Sequence, residues 1–318
     1  RARKIMSPSQ WGVDVLAKQD MKADYIPCGI DLDTYTISEE GRKRWRAQMR
    51  PVIDEDTFFV GMVGLNTGSP DRKGYGFAFD AIKEFTGRHK DARVHIHTNV
   101  HGDGMAIDLE DLRADFGLQD VVSFSRPTMS VGESPLYMRD MYNAFDVMLH
   151  CGMCEGFGMP LVEAQACGTP VVLNSCTSMT ELVTDGYHAE PLADMVVSTV
   201  TRIALPSVAN IVEQLEEAYA DWRSHKQDRK AIRETVLRFD RDTIYEQCWR
   251  PLLADVPEPF RFEDAGPRKL MLAAGALRKE GFVHHDKELL FGHHEVAHDL
   301  NVFPYPWDDD SWDYIEFS

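Results

Sequence analysis

The 318 residues contain no apolar run of the roughly 18 or more that a membrane-crossing helix needs, so no transmembrane segment is expected. Basic residues are the scarcer charge: 34 Lys plus Arg stand against 52 Asp plus Glu, a formal net charge of −18. That balance excludes a general binder of nucleic acid or anionic membrane while leaving room for a local basic pocket. Cysteine is sparse, six residues scattered along the chain. A chain this long buries a sizeable core without disulfides, and a reducing, cytoplasmic setting is expected. The opening Arg1-Ala2-Arg3-Lys4 is followed by only two apolar residues, too few for a signal peptide. There is no internal repeat. The single Cys-x-x-Cys, Cys151-Gly152-Met153-Cys154, has no second pair and no thioredoxin-like context. It reads as small buried hydrophobes rather than half a zinc site or a redox pair. The apolar fraction of 43% and charged fraction of 27% are those of a soluble globular protein of one large or two ordinary domains.

The most informative stretch runs from Glu155 to Pro170, Glu-Gly-Phe-Gly-Met-Pro-Leu-Val-Glu-Ala-Gln-Ala-Cys-Gly-Thr-Pro. A mostly apolar run, Phe145 to Leu149, precedes it and reads as a buried strand; Val171 to Leu173 follows as another. Between them, Pro160 suits the first turn of a helix. Gly168 suits the position just past its end, and Pro170 stops it continuing. Strand, loop, helix and strand in this order predict a parallel pair joined by a right-handed crossover. The helix N-terminus offers free N–H groups and a positive dipole end to an anion. Glu155 and Glu163 flank that place. Carboxylates would repel phosphate, so they are expected to bind neutral hydroxyls of the same ligand. Phosphate and many hydroxyls together describe a nucleotide-sugar.

Elsewhere, strands and helices alternate. Strands are expected at Ala23 to Ile26, Phe58 to Val63, Arg93 to Val100 and Val121 to Phe124. Helices are expected from Ser7 to about Lys18, at Glu39 to Met49, Tyr75 to Arg88, Asp108 to Phe116 and Pro135 to Ala144. This alternation predicts an α/β fold with a Rossmann-like, doubly wound parallel sheet, whose ligands bind beyond the carboxyl ends of the strands. The loops at Gly64, Gly102, Arg126 and Glu155 all fall at that edge. After Gly186 the pattern turns helical, with Val208 to Ser224, Arg229 to Phe239 and Arg241 to Leu253. A further helix is expected at Lys269 to Lys279.

Two glutamates eight positions apart, with Gly-Phe-Gly-x-Pro between them and Glu-Ala plus Gly-x-Pro-Val-Val after, resemble the E-x7-E signature of retaining glycosyltransferases of the GT-B fold. The resemblance is to family 4 of that group. It implies that the chain is the C-terminal, donor-binding half of such a fold, with a helical and irregular C-terminal extension. Residues 1–31 would be the end of a first domain and the crossing from it, 32–200 the nucleotide-sugar-binding domain, 201–254 C-terminal helices, and 255–318 an extension of unassigned role. The chain would then be a fragment, or a protein that works without most of that first domain.

The resemblance implies that Glu155 binds hydroxyls of the transferred sugar and Glu163 those of the ribose. Backbone N–H groups of Gly156, Phe157, Gly158 and Met159 would line the sugar, and those of Leu161 and Val162 would face the diphosphate. Arg72 and Lys73 would stabilise the departing diphosphate, which makes Glu155, Lys73 and Arg72 the catalytic set. Many members carry Arg directly after the first strand's Val-Gly; here that position is Leu65, and Asn66 is the substitute phosphate contact. Arg126 and Pro127 would cover the base. No Asp-x-Asp lies at the candidate site, and no metal or other cofactor is expected beside the donor. UDP-sugars are the commonest donors of the family and GDP-sugars next. The acceptor (glycan, lipid, protein or small molecule) is open.

The alternative is a non-catalytic protein that binds a nucleotide-sugar or glycan, or serves an assembly, with a protein partner met through the tail. His294-Glu295-Val296-Ala297-His298 matches H-E-x-x-H, which on a helix would hold zinc. It lies in a stretch already rich in histidine (His284, His285, His293) and reads as a chance match. Asp308-Asp309-Asp310 reads as a solvated acidic run.

Overall fold

Phe58–Val63 is an uninterrupted apolar run, and all six residues are buried. A strand that is apolar on both faces belongs in the middle of a helix-covered sheet. In the computed structural model it is one of two central strands. The structure describes residues 5–67, 71–102, 106–125, 132–197 and 202–254, and beyond these the strand residues 269–272, 283–286, 296–297 and 314–317. The chain divides into two compact units, Arg1–Leu253 and Ala254–Ser318.

In the first unit, β1 (Met6–Ser7) and β2 (Asp24–Tyr25) pair in parallel on either side of α1 (Gln10–Ala17) in sequence. Next come α2 (Glu39–Gln48), β3 (Phe58–Val63), α3 (Tyr75–Arg88), β4 (Ala92–His97), α4 (Leu109–Phe116), β5 (Val122–Phe124) and α5 (Pro135–Ala144). They are followed by β6 (Val147–His150), α6 (Met159–Ala166), β7 (Val171–Asn174), α7 (Met179–Leu182) and β8 (Tyr187–Ala189). The antiparallel pair β9 (Ala193–Val196) and β10 (Arg202–Leu205) precedes α8 (Val208–Arg223) and α9 (Arg229–Glu234).

Strands β3 to β8 form one sheet in the order β5-β4-β3-β6-β7-β8, parallel throughout. The order reverses between β3 and β6, the doubly wound arrangement, so the crevice for a ligand opens at their carboxyl ends. Alternate residues of β3 serve the two faces. Phe58, Val60 and Met62 pack with Phe79, Ile82, Ile96, Ile211 and Leu215. Phe59 and Val63 pack with Trp45, Phe145, Leu161 and Phe239. Burying each such large side chain contributes about 1.5–3 kcal/mol.

At the opposite end of the sheet, Asp146 joins three elements. Its Oδ2 accepts from the Phe59 N–H and from Arg46 Nη2, both at 2.7 Å, and its Oδ1 accepts from Arg42 Nη2 at 2.7 Å. Arg46 also donates to the carbonyls of Ala144 and Asp54, each at 2.8 Å. Helix α2, polar by sequence, is thereby held to the sheet through two buried guanidinium groups.

Three expectations are corrected. The chain after Gly186 is not helical at once: β8 and the β9–β10 pair intervene, strands too short to show a clear period. The expected helix Arg229 to Phe239 ends at Glu234, and a separate 3₁₀ turn forms at Leu237–Phe239. The expected helix at Lys269 to Lys279 is a strand where it is described: Lys269–Leu272 (β11) pairs in parallel with Val283–Asp286 (β12) and Tyr314–Phe317 (β14). A short apolar run such as Leu270-Met271-Leu272 does not distinguish strand from helix by periodicity. Val296–Ala297 (β13), between the two histidines of H-E-x-x-H, pairs with His285–Asp286 as a strand, so the middle of that motif is not helical. His294, Glu295, His298 and Asp308 to Asp310 lie outside the described residues.

Candidate active site

At the reversal point a cavity about the size of one water molecule is lined by Val63, Gly64, Lys73, Tyr75, His150 and Cys151. Two loops build it, one after β3 and one after β6, and they are fastened to each other. The Met153 N–H donates to the Arg72 carbonyl at 2.9 Å, and Arg72 Nη1 donates to the Cys154 carbonyl at 2.9 Å. The buried Tyr75 hydroxyl donates to the Gly64 carbonyl at 2.6 Å. Gly74 stands at φ 70°, and a Cβ placed there would lie 2.2 Å from the Cys151 carbonyl oxygen. Only glycine allows both that backbone and that approach. Gly74→Ala is therefore expected to cost about 1–2 kcal/mol from the backbone alone. The clash adds to this and pushes the loop carrying Lys73 away from β6. A lowered melting temperature together with weakened nucleotide binding would register it.

The loop geometry brings Arg72, Lys73 and Glu155 together. The Lys73 ammonium donates to Glu155 Oε1 in a short, largely buried ion pair. Arg72 Nη1 lies 3.3 Å from Glu155 Oε2. Burial by itself would raise the Glu155 pKa, but the adjoining His150 and the Lys73 ammonium outweigh it and hold the carboxyl at about 2. The carboxylate is thus a fixed anion through the physiological range. Since its folded value is depressed from an ordinary 4.5, its stabilising contribution is full above that pH and is lost as pH falls toward 2.

Helix α6 begins as the residue pattern predicts, with Pro160 in its first turn and Gly158 before it at φ 116°. Beyond its last residue, Ala166, lies Gly168. Phe157 is buried edge-on against Phe239, ring centroids 5.5 Å apart. The Leu161 N–H donates to the Gly158 carbonyl at 3.0 Å. Val162 is fully buried, and Gly156 has open space around it.

Glu163, on α6, is mostly buried and accepts a hydrogen bond from the Tyr142 hydroxyl at 2.7 Å, with the Tyr35 hydroxyl as a second partner. Burial raises its pKa more than these two bonds lower it. Glu155 and Glu163 therefore differ in character: one is an ion-paired anion, the other a carboxyl held by two phenols.

Asn66 is buried, and its amide donates to the carbonyls of Asn99 at 3.2 Å and Ile107 at 2.7 Å. Its amide hydrogens are thus directed to the neighbouring connection between β4 and α4. Arg126 and Pro127 lie outside the described residues. Cys151 is buried, Cys154 partly so, and both are free thiols.

Several supporting residues carry no sequence signal. Ser178, fully buried, donates to the carbonyls of Glu155 at 2.9 Å and Phe157 at 2.8 Å, and Thr177 Oγ1 accepts from the Glu155 N–H at 3.1 Å. Asn174 Nδ2 bridges the carbonyls of Gly152 and Ala204 at 3.1 and 3.0 Å, joining the β6 loop to β10. Tyr35, Tyr142, Asn174 and Ser178 are common residues whose roles arise only from long-range contact. Among the described residues no helix is long and apolar enough to cross a membrane.

Solved glycosyltransferases share this architecture. One from Rickettsia africae ESF-5 matches with a TM-score of 0.63 at 15% identity, over 80% of this chain and 64% of that one. Sucrose-phosphate synthase from Thermosynechococcus elongatus matches at 0.61 and 19% identity, over 80% and 59%. The pneumococcal O-GlcNAc transferase GtfA, solved with UDP and GlcNAc, matches at 0.55 and 17%, over 80% and 45%. The first unit is thus a Rossmann-like half of the GT-B fold. Residues 57–221, a little over half of the chain, match the family of glycosyl transferases group 1, and the chain belongs to it. Curated relatives include the D-inositol 3-phosphate glycosyltransferases of Kribbella flavida, 27% identical over 182 residues, and Kineococcus radiotolerans, 30% identical over 181. The matches cover 55% and 56% of this chain, and the chain spans about 40% of the length of each relative.

Proposed function

We propose that the chain is the donor-binding part of a retaining glycosyltransferase that moves a hexose from a nucleotide-sugar to an acceptor hydroxyl. The observation that carries this reading is the cluster at the reversal of strand order. There Lys73 and Arg72, cations suited to a diphosphate, meet Glu155, a permanent anion suited to sugar hydroxyls. Glu163 stands on the adjoining helix as the ribose acceptor. The Gly156 to Met159 backbone lines the sugar. UDP is placed ahead of GDP; a fold relative solved with UDP supports that order.

In the reaction, the bond between the anomeric carbon and the diphosphate oxygen breaks as the acceptor oxygen approaches from the same face. The hydroxyl proton passes to the leaving diphosphate oxygen. Lys73 and Arg72 stabilise the negative charge that gathers there, and fixed cations in a partly dry crevice do so without reorganisation. No metal is assigned a part in these steps.

Glu163→Ala is expected to weaken donor binding by about 10- to 100-fold, the range for hydrogen bonds to a charged group. Calorimetric titration with UDP-glucose, UDP-N-acetylglucosamine and GDP-mannose checks it. Unchanged affinity in the variant, or no binding of any of the three to the wild-type chain, overturns the reading.

A further inference from the structure

His150 is the last residue of β6, at the reversal point, and its side chain is only 4% exposed. It lines the water-sized cavity at that point with Gly64, Lys73 and Tyr75. Its Nε2 is buried and makes no well-formed hydrogen bond: its one polar neighbour is Glu155 Oε1, at a long 3.4 Å. Native interiors leave few polar atoms in that state, and each one calls for an explanation. The same Oε1 is the oxygen held by Lys73. The ring is also closely backed by the loop: a Cβ at Gly152 would meet Nε2 at 2.7 Å.

The arrangement presents a conflict that His150 is placed to resolve. It rests on the reading above, in which Lys73 serves the diphosphate and Glu155 the sugar. Neither can do so fully while they neutralise each other. When Lys73 turns to the diphosphate, Glu155 loses the ammonium on Oε1, and a buried carboxylate stripped of a partner is strongly unfavourable. Arg72, on Oε2, is the more exposed cation and does not cover Oε1. We propose that His150 is a positioning residue that takes over Oε1 of Glu155 through an Nε2–H hydrogen bond when Lys73 engages the diphosphate, keeping the carboxylate aimed at the donor sugar. Burial favours the neutral imidazole despite the nearby carboxylate. With its proton on Nε2, a neutral ring donates to Glu155 without competing with Lys73 as a second cation.

A double-mutant cycle on the 318-residue chain tests this, using whichever of UDP-glucose, UDP-N-acetylglucosamine and GDP-mannose binds the wild type most tightly. His150→Leu is expected to weaken its binding about 10- to 100-fold, and His150→Gln, which retains an N–H at a similar reach, to restore affinity to within about threefold. In the Glu155→Gln background, His150→Leu should add no more than about twofold, because the charged acceptor has gone. Thermal melts of each variant identify loss of folding. An equal His150→Leu effect in both backgrounds, no effect in the wild-type background, or failure of a folded His150→Gln to restore binding overturns the inference while leaving the donor reading intact. Failure of the wild type to bind any of the three nucleotide-sugars overturns the donor reading and this inference with it.

Discussion

Lys73→Met is expected to lower the rate of donor cleavage by about 10²–10³-fold, the scale for removing one preorganised charge-stabilising group. Methionine keeps an unbranched apolar stem of similar length and lacks the ammonium. Two effects then combine. In the proposed mechanism the developing charge on the diphosphate loses its more buried cation, and Glu155 loses the ion pair on Oε1. The second effect has its own signature: with the ammonium gone the Glu155 pKa rises from about 2, while the lowering influence of His150 stays in place. The stability that Glu155 contributes above pH 4.5 should therefore be smaller in the variant, and its loss on acidification should be complete at a higher pH than in the wild type. Release of nucleoside diphosphate in a coupled assay measures the rate, and pH-dependent unfolding measures the shift. A variant cleaving donor at the wild-type rate would remove Lys73 from the mechanism.

Asp146→Ala is expected to destabilise the first unit by about 3–5 kcal/mol, the cost of leaving a buried ion-pair partner uncompensated. Two guanidinium groups lose their carboxylate at once, and the Phe59 N–H loses its acceptor. For a unit of this size a loss on that scale corresponds to a drop of roughly 10 °C or more in melting temperature. Arg42 retains Glu55 at 3.4 Å, but that carboxylate is largely exposed and is a weak replacement. Asp146→Asn, which keeps an acceptor oxygen but not the charge, should fall between wild type and Ala. Urea unfolding followed by circular dichroism gives the difference, and a loss below about 1 kcal/mol for Ala would show that the site relaxes or admits water.

These two sites differ in how visible they are before folding. Arg72 and Lys73 lie in a loop between a strong strand and a strong helix, and Glu155 lies in a dense Gly-Pro-Glu pattern. Both positions are legible because loop chemistry at a strand's carboxyl end follows local rules. The Asp146 cluster is invisible by the same rules. Glu39–Gln48 has the composition of a solvated helix, and nothing local marks Arg42 and Arg46 as buried. Their burial depends on a carboxylate about one hundred positions later. Ser178 and the Tyr35–Tyr142 pair behind Glu163 are hidden for the same reason. Conversely, Asn66 looks like a free amide beside a phosphate site, yet the fold turns its donors onto Asn99 and Ile107.

What the residues determined unaided was the alternation of strands and helices, the parallel doubly wound class, and the two ends of α6, because apolar periodicity, Pro160 and Gly168 act over a few positions. Tertiary structure alone decided the strand order β5-β4-β3-β6-β7-β8, the joining of Lys73 to Glu155 82 positions away, and the placing of His150 against that pair. Strand order, ion pairing and burial are properties of residues distant in sequence, and a local pattern carries no record of which distant partner will meet it.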